Sequence, residues 1–325
     1  MTLIRSPVND IVYGVRKGNK RSASELMSLA EAGAPEGKEC LKRLSSISKR
    51  AHILGVTGWP GVGKSSLVYG IAKSLLAQDR QVGIIAIDPS SAFTGGSLLG
   101  DRVRMKGIDG DERLFIRSAA TRGHTGGIAT ATKDFIKILE AMGKEIVIIE
   151  TVGVGQDQVA VRQMADTIVL VLIPGMGDYL QSLKAGVLEI GDIFVVNKCD
   201  REGVSQMVAD LTMVICMNAH ANGWKPPIAK TIAVDGSGID KLMEHIEKHW
   251  QYLRANKLTM SKRKSTAKTE ILELIKSRCL RYVSERTKLE LHLERYAEKI
   301  CEGSADPYTV VEGILRESGI VTERE

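Results

Sequence analysis

The sequence predicts an α/β protein, a mostly parallel sheet flanked by helices, with helical segments before and after it. Two observations carry that expectation. From about 51 to 255, short apolar β-branched runs alternate with helical patterns, and the runs are continuously apolar, as strands covered on both faces require. The first run leads directly into Gly58-Trp59-Pro60-Gly61-Val62-Gly63-Lys64-Ser65, which fits the phosphate-loop spacing G-x-x-x-x-G-K-[ST] at every fixed position.

Residues from about 8 to 48 read as helical. Leu26, Leu29 and Ala30, then Leu41, Leu44 and Ile47, recur at helical intervals, with Gly33-Ala34-Pro35 breaking between them. The expected strands are His52–Thr57, Val82–Ile87, Leu114–Ile116, Ile146–Ile149, Ile168–Ile173, Ile193–Val196 and Ile228–Val234. Ser66–Leu76 is the helix after the loop. Beyond about 256 the pattern turns to long charged helices, with apolar stripes at Ile271, Leu272, Leu274 and Ile275, then Leu289, Leu291, Leu293 and Ile300. Asp306-Pro307 opens a last short helix, Tyr308–Arg316. The expected division is an N-terminal helical extension over 1–48, a nucleotide-binding domain over 49–255 and a C-terminal helical region over 256–325. No internal repeat or low-complexity linker interrupts it.

Composition narrows the function classes. With 43% hydrophobic and 26% charged residues in 325, the chain has the balance of a soluble globular protein. No apolar run reaches the length of a membrane span, and the first thirty residues carry no signal-peptide core, so a cytoplasmic protein without membrane partners is expected. The net charge of +6 does not point to nucleic acid, because the basic residues are dispersed and aromatics are only 4%. The dense run Ser261–Lys268 reads as a solvated helix start. Cys40, Cys199, Cys216, Cys279 and Cys301 are scattered, without C-x-x-C, and read as buried or free thiols. His245 and His249 lie four apart on a helix and read as a surface or capping pair, since no third metal ligand is in sequence reach.

The loop assigns the fold to the P-loop NTPases. Its glycines let backbone N–H groups turn inward around phosphate oxygens, Lys64 reaches the β and γ groups, and Ser65 is left to ligate Mg²⁺. Ser66 opens the following helix, whose N-terminus faces the phosphates. Asn197-Lys198-Cys199-Asp200 follows a strand in the form N-K-x-D. The Asp200 carboxylate can accept from N1–H and the 2-amino group of guanine, and adenine offers neither donor there, so GTP is expected over ATP. Glu150 ends an apolar strand, where an acid faces the crevice and can hold Mg²⁺ directly or through water. Gly153 can give its N–H to a γ-phosphate, which makes Thr151–Gln158 a candidate γ-phosphate sensor. Gln156 is a candidate to orient the attacking water, or a structural glutamine. Asp88 and Asp101 are further Mg²⁺ candidates, with a turn and a helix cap as their alternative roles. The Thr94–Ser97 segment between them is glycine-rich enough to move with nucleotide state. Arg122–Gly127 is another glycine-rich stretch before a helix, with no chemistry assigned.

Three blocks, Asp88–Met105, Glu150–Gln156 and Pro174–Gly186, together with the loop, resemble the MeaB/ArgK group of cobalamin-associated G proteins, the group of the methylmalonic aciduria type A protein, over essentially the whole chain. The resemblance implies a GTPase chaperone for an adenosylcobalamin-dependent acyl-CoA mutase, typically methylmalonyl-CoA mutase, working as a homodimer joined through its C-terminal helices. It places Lys64, Ser65, Asp88, Asp101 and Glu150 at phosphate and Mg²⁺ positions, with Lys64, Glu150, Gln156 and Asp101 as the catalytic set. Asn197, Lys198 and Asp200 fall on the guanine reader. Ile232-Ala233-Val234 falls where the family has Ser-Ala-x, so that base contact is expected from backbone. Trp59 stands where a small residue is usual, and Tyr179, in the 174–186 segment expected to signal to the mutase, where an acid is usual. The alternatives are a metallochaperone GTPase, which would want a His-rich tract or Cys/His ligands, an ATP-dependent kinase of amino-acid transport proteins, and an interaction protein with a dead nucleotide site.

Overall fold

The structure, a computed structural model, describes residues 7–45, 50–88, 107–120, 127–151, 161–176, 191–217 and 223–320. Residues 1–262 and 263–325 form two compact units.

In the first unit a parallel sheet runs in the order β3-β2-β4-β1-β5-β6-β7. The strands are β1 (His52–Gly58), β2 (Val82–Asp88), β3 (Leu114–Ala120), β4 (Ile146–Glu150), β5 (Thr167–Leu172), β6 (Ile193–Val196) and β7 (Ile228–Lys230). Every residue of β1, β4, β5 and β6 is buried, which is why their sequences show no polar alternation. Successive residues still face opposite layers. Ile53, Ile85, Val147 and Ile149 pack against α1 (Pro7–Arg16), α2 (Lys20–Glu31), α3 (Pro35–Leu44) and α5 (Gly127–Ala141), among them Leu26, Met27 and Phe135. Leu54, Val56, Ile84 and Ile148 face the other layer, where α4 (Lys64–Ala77) supplies Leu67 and Ile71 and α7 (Ile239–Ala255) supplies Leu242 and Ile246. A third cluster joins Leu170, Leu172 and Phe194 to Met207, Leu211 and Ile215 of α6 (Val204–Met217). The N-terminal helices thus share their core with the sheet. Arg117 on β3 reinforces the contact, donating to Glu31 Oε2 at 2.8 Å and lying over the Phe135 ring.

The structure corrects the expected elements at several points. The third strand runs past Ile116 to Ala120, because Arg117 to Ala120 continue the ladder with β2. The N-terminal stretch breaks at Gly18-Asn19 as well as at Gly33: Gly18 takes φ 77°, and Asn19 Oδ1 accepts from Ser22 N at 3.0 Å to cap α2. The last strand stops at Lys230, short of Val234. Ile232 instead bridges to Ser237, and Asp235-Gly236-Ser237-Gly238 turns the chain, with φ 87° and 80° at the glycines. Turn chemistry there overrides the β-branched run before it.

The second unit holds most of α8 (Leu258–Thr287), all of α9 (Leu289–Cys301) and α10 (Pro307–Ser318). Ser261–Lys268 lies within α8, past its start. Asp306 caps α10, accepting from Tyr308 N at 2.9 Å and Thr309 N at 3.0 Å, and Gly319 at φ 78° ends it. Arg286 ties α8 to the end of α10 by donating to Ser318 O at 3.2 Å. Among the described residues, no helix is long and apolar enough to cross a membrane.

Candidate nucleotide site

Strand order reverses around β1 and β4: β2 and β3 extend the sheet on one side, β5 to β7 on the other. Open α/β sheets hold ligands in the crevice beyond the carboxyl ends of the strands at such a point. Among the described residues, the loop after β1, Glu150 at the end of β4 and the Asn197–Asp200 segment after β6 lie at those carboxyl ends. Gly58 closes β1 with φ 150°, and a Cβ on it would meet Val171 O at 2.2 Å, so only glycine lets the chain leave the sheet there. Gly63 at φ 94° precedes α4; a Cβ there would lie 2.4 Å from Asn197 Nδ2.

Lys64 opens α4 and turns its ammonium back into the loop. Nζ donates to Gly58 O at 2.9 Å and Trp59 O at 3.0 Å. Burial lowers its pKa to about 8, with the nearby Glu150 carboxylate opposing that shift. Beside it, Ser65 Oγ donates to Glu150 Oε1 at 2.6 Å. A buried carboxylate and a hydroxyl at a helix start, two hard oxygen donors, are chemically suited to share a Mg²⁺ ion. Asp88 closes β2 at the same edge of the sheet, and its carboxylate lies outside the described atoms. Trp59, Pro60 and Gly61 are exposed at the mouth, Ser66 is half-buried and Val62 is buried.

The N-K-x-D segment is bonded to the loop directly. Asn197 Nδ2 donates to Val62 O at 2.8 Å, and Lys198 Nζ donates to Gly61 O at 2.7 Å. Asn197 Oδ1 accepts from Thr231 Oγ1 and from Ala233 N, both at 3.0 Å, which draws in the 232–234 loop. Ala233 is buried, Ile232 half-buried and Val234 exposed. Asp200 stands exposed after this turn, open to a base. Asp101, Gly153, Gln156 and Tyr179 lie outside the described residues, as do all of 94–106, most of 174–186 and the Arg122–Gly126 stretch.

Sequence reasoning missed Thr231, which completes the Asn197 network, and Thr57, whose hydroxyl meets that of Thr151 at 3.0 Å. It also misread His249. That residue is buried, with Nδ1 2.8 Å from Thr167 Oγ1, and Thr167 Oγ1 is also 2.8 Å from His52 Nε2. This chain lies at the amino ends of β1 and β5, opposite the crevice. A histidine pair spaced for one helix face shows nothing of a threonine donated by a distant strand.

The chain matches the family described as "Methylmalonyl Co-A mutase-associated GTPase MeaB" over residues 23–288. A GTPase of Pyrococcus horikoshii is 40% identical over 313 residues, covering 95% of this chain and 98% of that protein. The mitochondrial methylmalonic aciduria type A homolog of Mus musculus is 28% identical over 95% of this chain and 79% of that protein. The crystal structure of an LAO/AO transport system kinase matches with a TM-score of 0.71 over 97% of this chain and 99% of that one, at 22% identity, a likeness of fold alone.

Proposed function

The chain belongs to the MeaB family of methylmalonyl-CoA mutase-associated GTPases, and from that premise we propose that it binds and hydrolyses GTP with Mg²⁺ to assist an adenosylcobalamin-dependent acyl-CoA mutase. One observation supports guanine recognition above the rest: Asn197 and Lys198 are tied to the phosphate loop at 2.8 and 2.7 Å, so Asp200 is held at a fixed reach from the phosphates. A nucleotide spanning that reach meets Asp200 with its base and Lys64 with its phosphates.

Mg²⁺, when bound, neutralises charge on the terminal phosphates. Ser65 and Glu150 are the oxygens that would hold it, with Asp88 and Asp101 as further candidates. Lys64 exchanges the Gly58 and Trp59 carbonyls for phosphate oxygens, giving its charge to the γ-phosphoryl group as it leaves. Gly153 senses that group, and Gln156 or a residue of the mutase orients the attacking water. The segments around 94–106, 151–158 and 174–186 then report nucleotide state to the mutase in the cytoplasm. The C-terminal helices, residues 256–325, form the homodimer contact.

Calorimetry with GTP, GDP and ATP tests the base reading. The wild-type protein is expected to prefer guanine. Asp200→Ala removes two hydrogen bonds to a charged acceptor, and most of that preference with them, on the order of 3 kcal/mol. Equal binding of ATP and GTP by the wild type, or an unchanged preference in the variant, overturns it. Capture of a cobalamin-dependent mutase from the native cell with GTP but not GDP tests the partner.

A further inference from the structure

Thr57 and Thr151 each precede a segment on which a nucleotide acts. Thr57 stands before Gly58 and the phosphate loop; Thr151 follows Glu150 and opens the stretch toward Gln158. Both are 1% exposed, and Thr151 Oγ1 donates to Thr57 Oγ1 at 3.0 Å. Just behind them the ladder pairs Val56 with Glu150, and Thr151 N donates to Val56 O at 3.2 Å. Valine has the same shape and loses no hydration on burial, so packing alone does not account for two hydroxyls here. What the hydroxyls add is register. Their bond fixes the end of β1, which runs on through the loop to Ser65 on α4, against the end of β4, where Glu150 Oε1 accepts from Ser65 Oγ at 2.6 Å.

We propose that Thr57 and Thr151 are a positioning pair that holds Glu150 in register with Ser65, and so sets the affinity of the nucleotide site for its divalent cation. Neither residue touches nucleotide or metal. The inference rests on the Mg²⁺-nucleotide reading above and adds residues that reading does not use.

The test follows release of a fluorescent GDP analogue from the full chain while Mg²⁺ is titrated. Thr57→Val and Thr151→Val are each expected to raise the Mg²⁺ midpoint about fivefold, the worth of one neutral hydrogen bond. The double variant is expected to be no worse than either single one, because both remove the same bond. Thr151→Ser keeps the hydroxyl and is expected to keep the wild-type midpoint. Affinity for the analogue in EDTA is expected to be the same in all. Should a valine variant not fold, Thr151→Ala removes the hydroxyl with the same expectation. Midpoints equal to wild type, additive effects in the double variant, or a parallel loss of affinity in EDTA would overturn the pairing. A wild-type protein whose GDP release ignores Mg²⁺ defeats the parent reading, and the inference with it.

Discussion

Lys64 has exchanged water for two backbone carbonyls, and the exchange is a poor one for an ammonium. Burial brings its pKa to about 8, against the opposing pull of Glu150. An unfolded lysine holds its proton to about 10.5, so this group's cost to folding is fully present below pH 8 and is relieved as pH rises from 8 toward 10.5. Phosphate oxygens would offer full negative charge in place of dipoles and raise the pKa again. Nucleotide binding near pH 8 to 9 is therefore expected to take up a proton, and GDP affinity to weaken about tenfold per pH unit above 8 until the bound-state pKa is reached. Calorimetry in two buffers of different ionisation enthalpy measures the uptake. Affinity flat across that range with no uptake would mean that Lys64 does not meet the phosphates. This residue and its neighbours were legible in the sequence because a phosphate loop is local chemistry: eight consecutive residues carry its glycines, cation and hydroxyl. Thr231 and Thr57 were not legible, because a hydroxyl earns its role only when a second strand brings its partner, 34 residues away for Thr231 and 94 for Thr57.

At the scale of elements, the strands were readable because burial on both faces leaves continuous apolar runs; β3 outruns its apolar start through the polar Arg117-Ser118 to Ala120, and β7 stops short where glycines turn the chain. What no run could reveal is how α7 is seated over the amino ends of β1, β5 and β6. His52 stacks on Trp250 at 4.2 Å, Thr167 joins His52 to His249, and Trp224 lies 4.7 Å from the His249 ring. Asp192, just before β6, accepts from Ile168 N at 2.8 Å and approaches His249 Nε2 at 3.7 Å. Burial, with Lys262 adding to it, lowers His249 to about 4, so its contribution to stability is complete above the unfolded value of 6.5 and drains away as pH falls from 6.5 to 4. Burial raises Asp192 to about 6, so its charged form costs stability above pH 6, and that cost fades as pH falls from 6 to its unfolded 3.8. Between pH 6 and 4 the two slopes oppose one another. Asp192→Asn removes one of them and is expected to expose the other: a loss of about 1.4 kcal/mol per pH unit on acidification, where the wild type stays nearly flat. Denaturant melts at pH 6, 5 and 4 measure it, and parallel curves for the two proteins would refute the opposition.

At the scale of the whole molecule, the first unit holds nearly all of the buried apolar core, while the second leaves most of its large apolar residues exposed. Leu272, Ile275, Cys279 and Tyr282 repeat at helical spacing along α8 within residues 263–325, and all are exposed, Leu272 at 57% and Ile275 at 52%. On α9, Leu291 and Leu293 are exposed too, and no residue of that helix is buried. Fully covering one such leucine or isoleucine is worth about 1.5–3 kcal/mol, so a stripe of this length is a standing reason to associate. A second copy of the chain would present the same stripe and could cover it symmetrically, the arrangement most homo-oligomers adopt, which is the homodimer proposed above. Placing charge there makes burial costly while leaving the nucleotide site, built in the first unit, untouched. The Leu272→Glu, Ile275→Glu double variant is therefore expected to sediment as a monomer where the wild type sediments as a dimer, with GDP affinity per chain unchanged. A variant that remains dimeric would place the contact elsewhere. A wild type that is monomeric at every concentration would leave the stripe to another partner and remove the homodimer from the proposal.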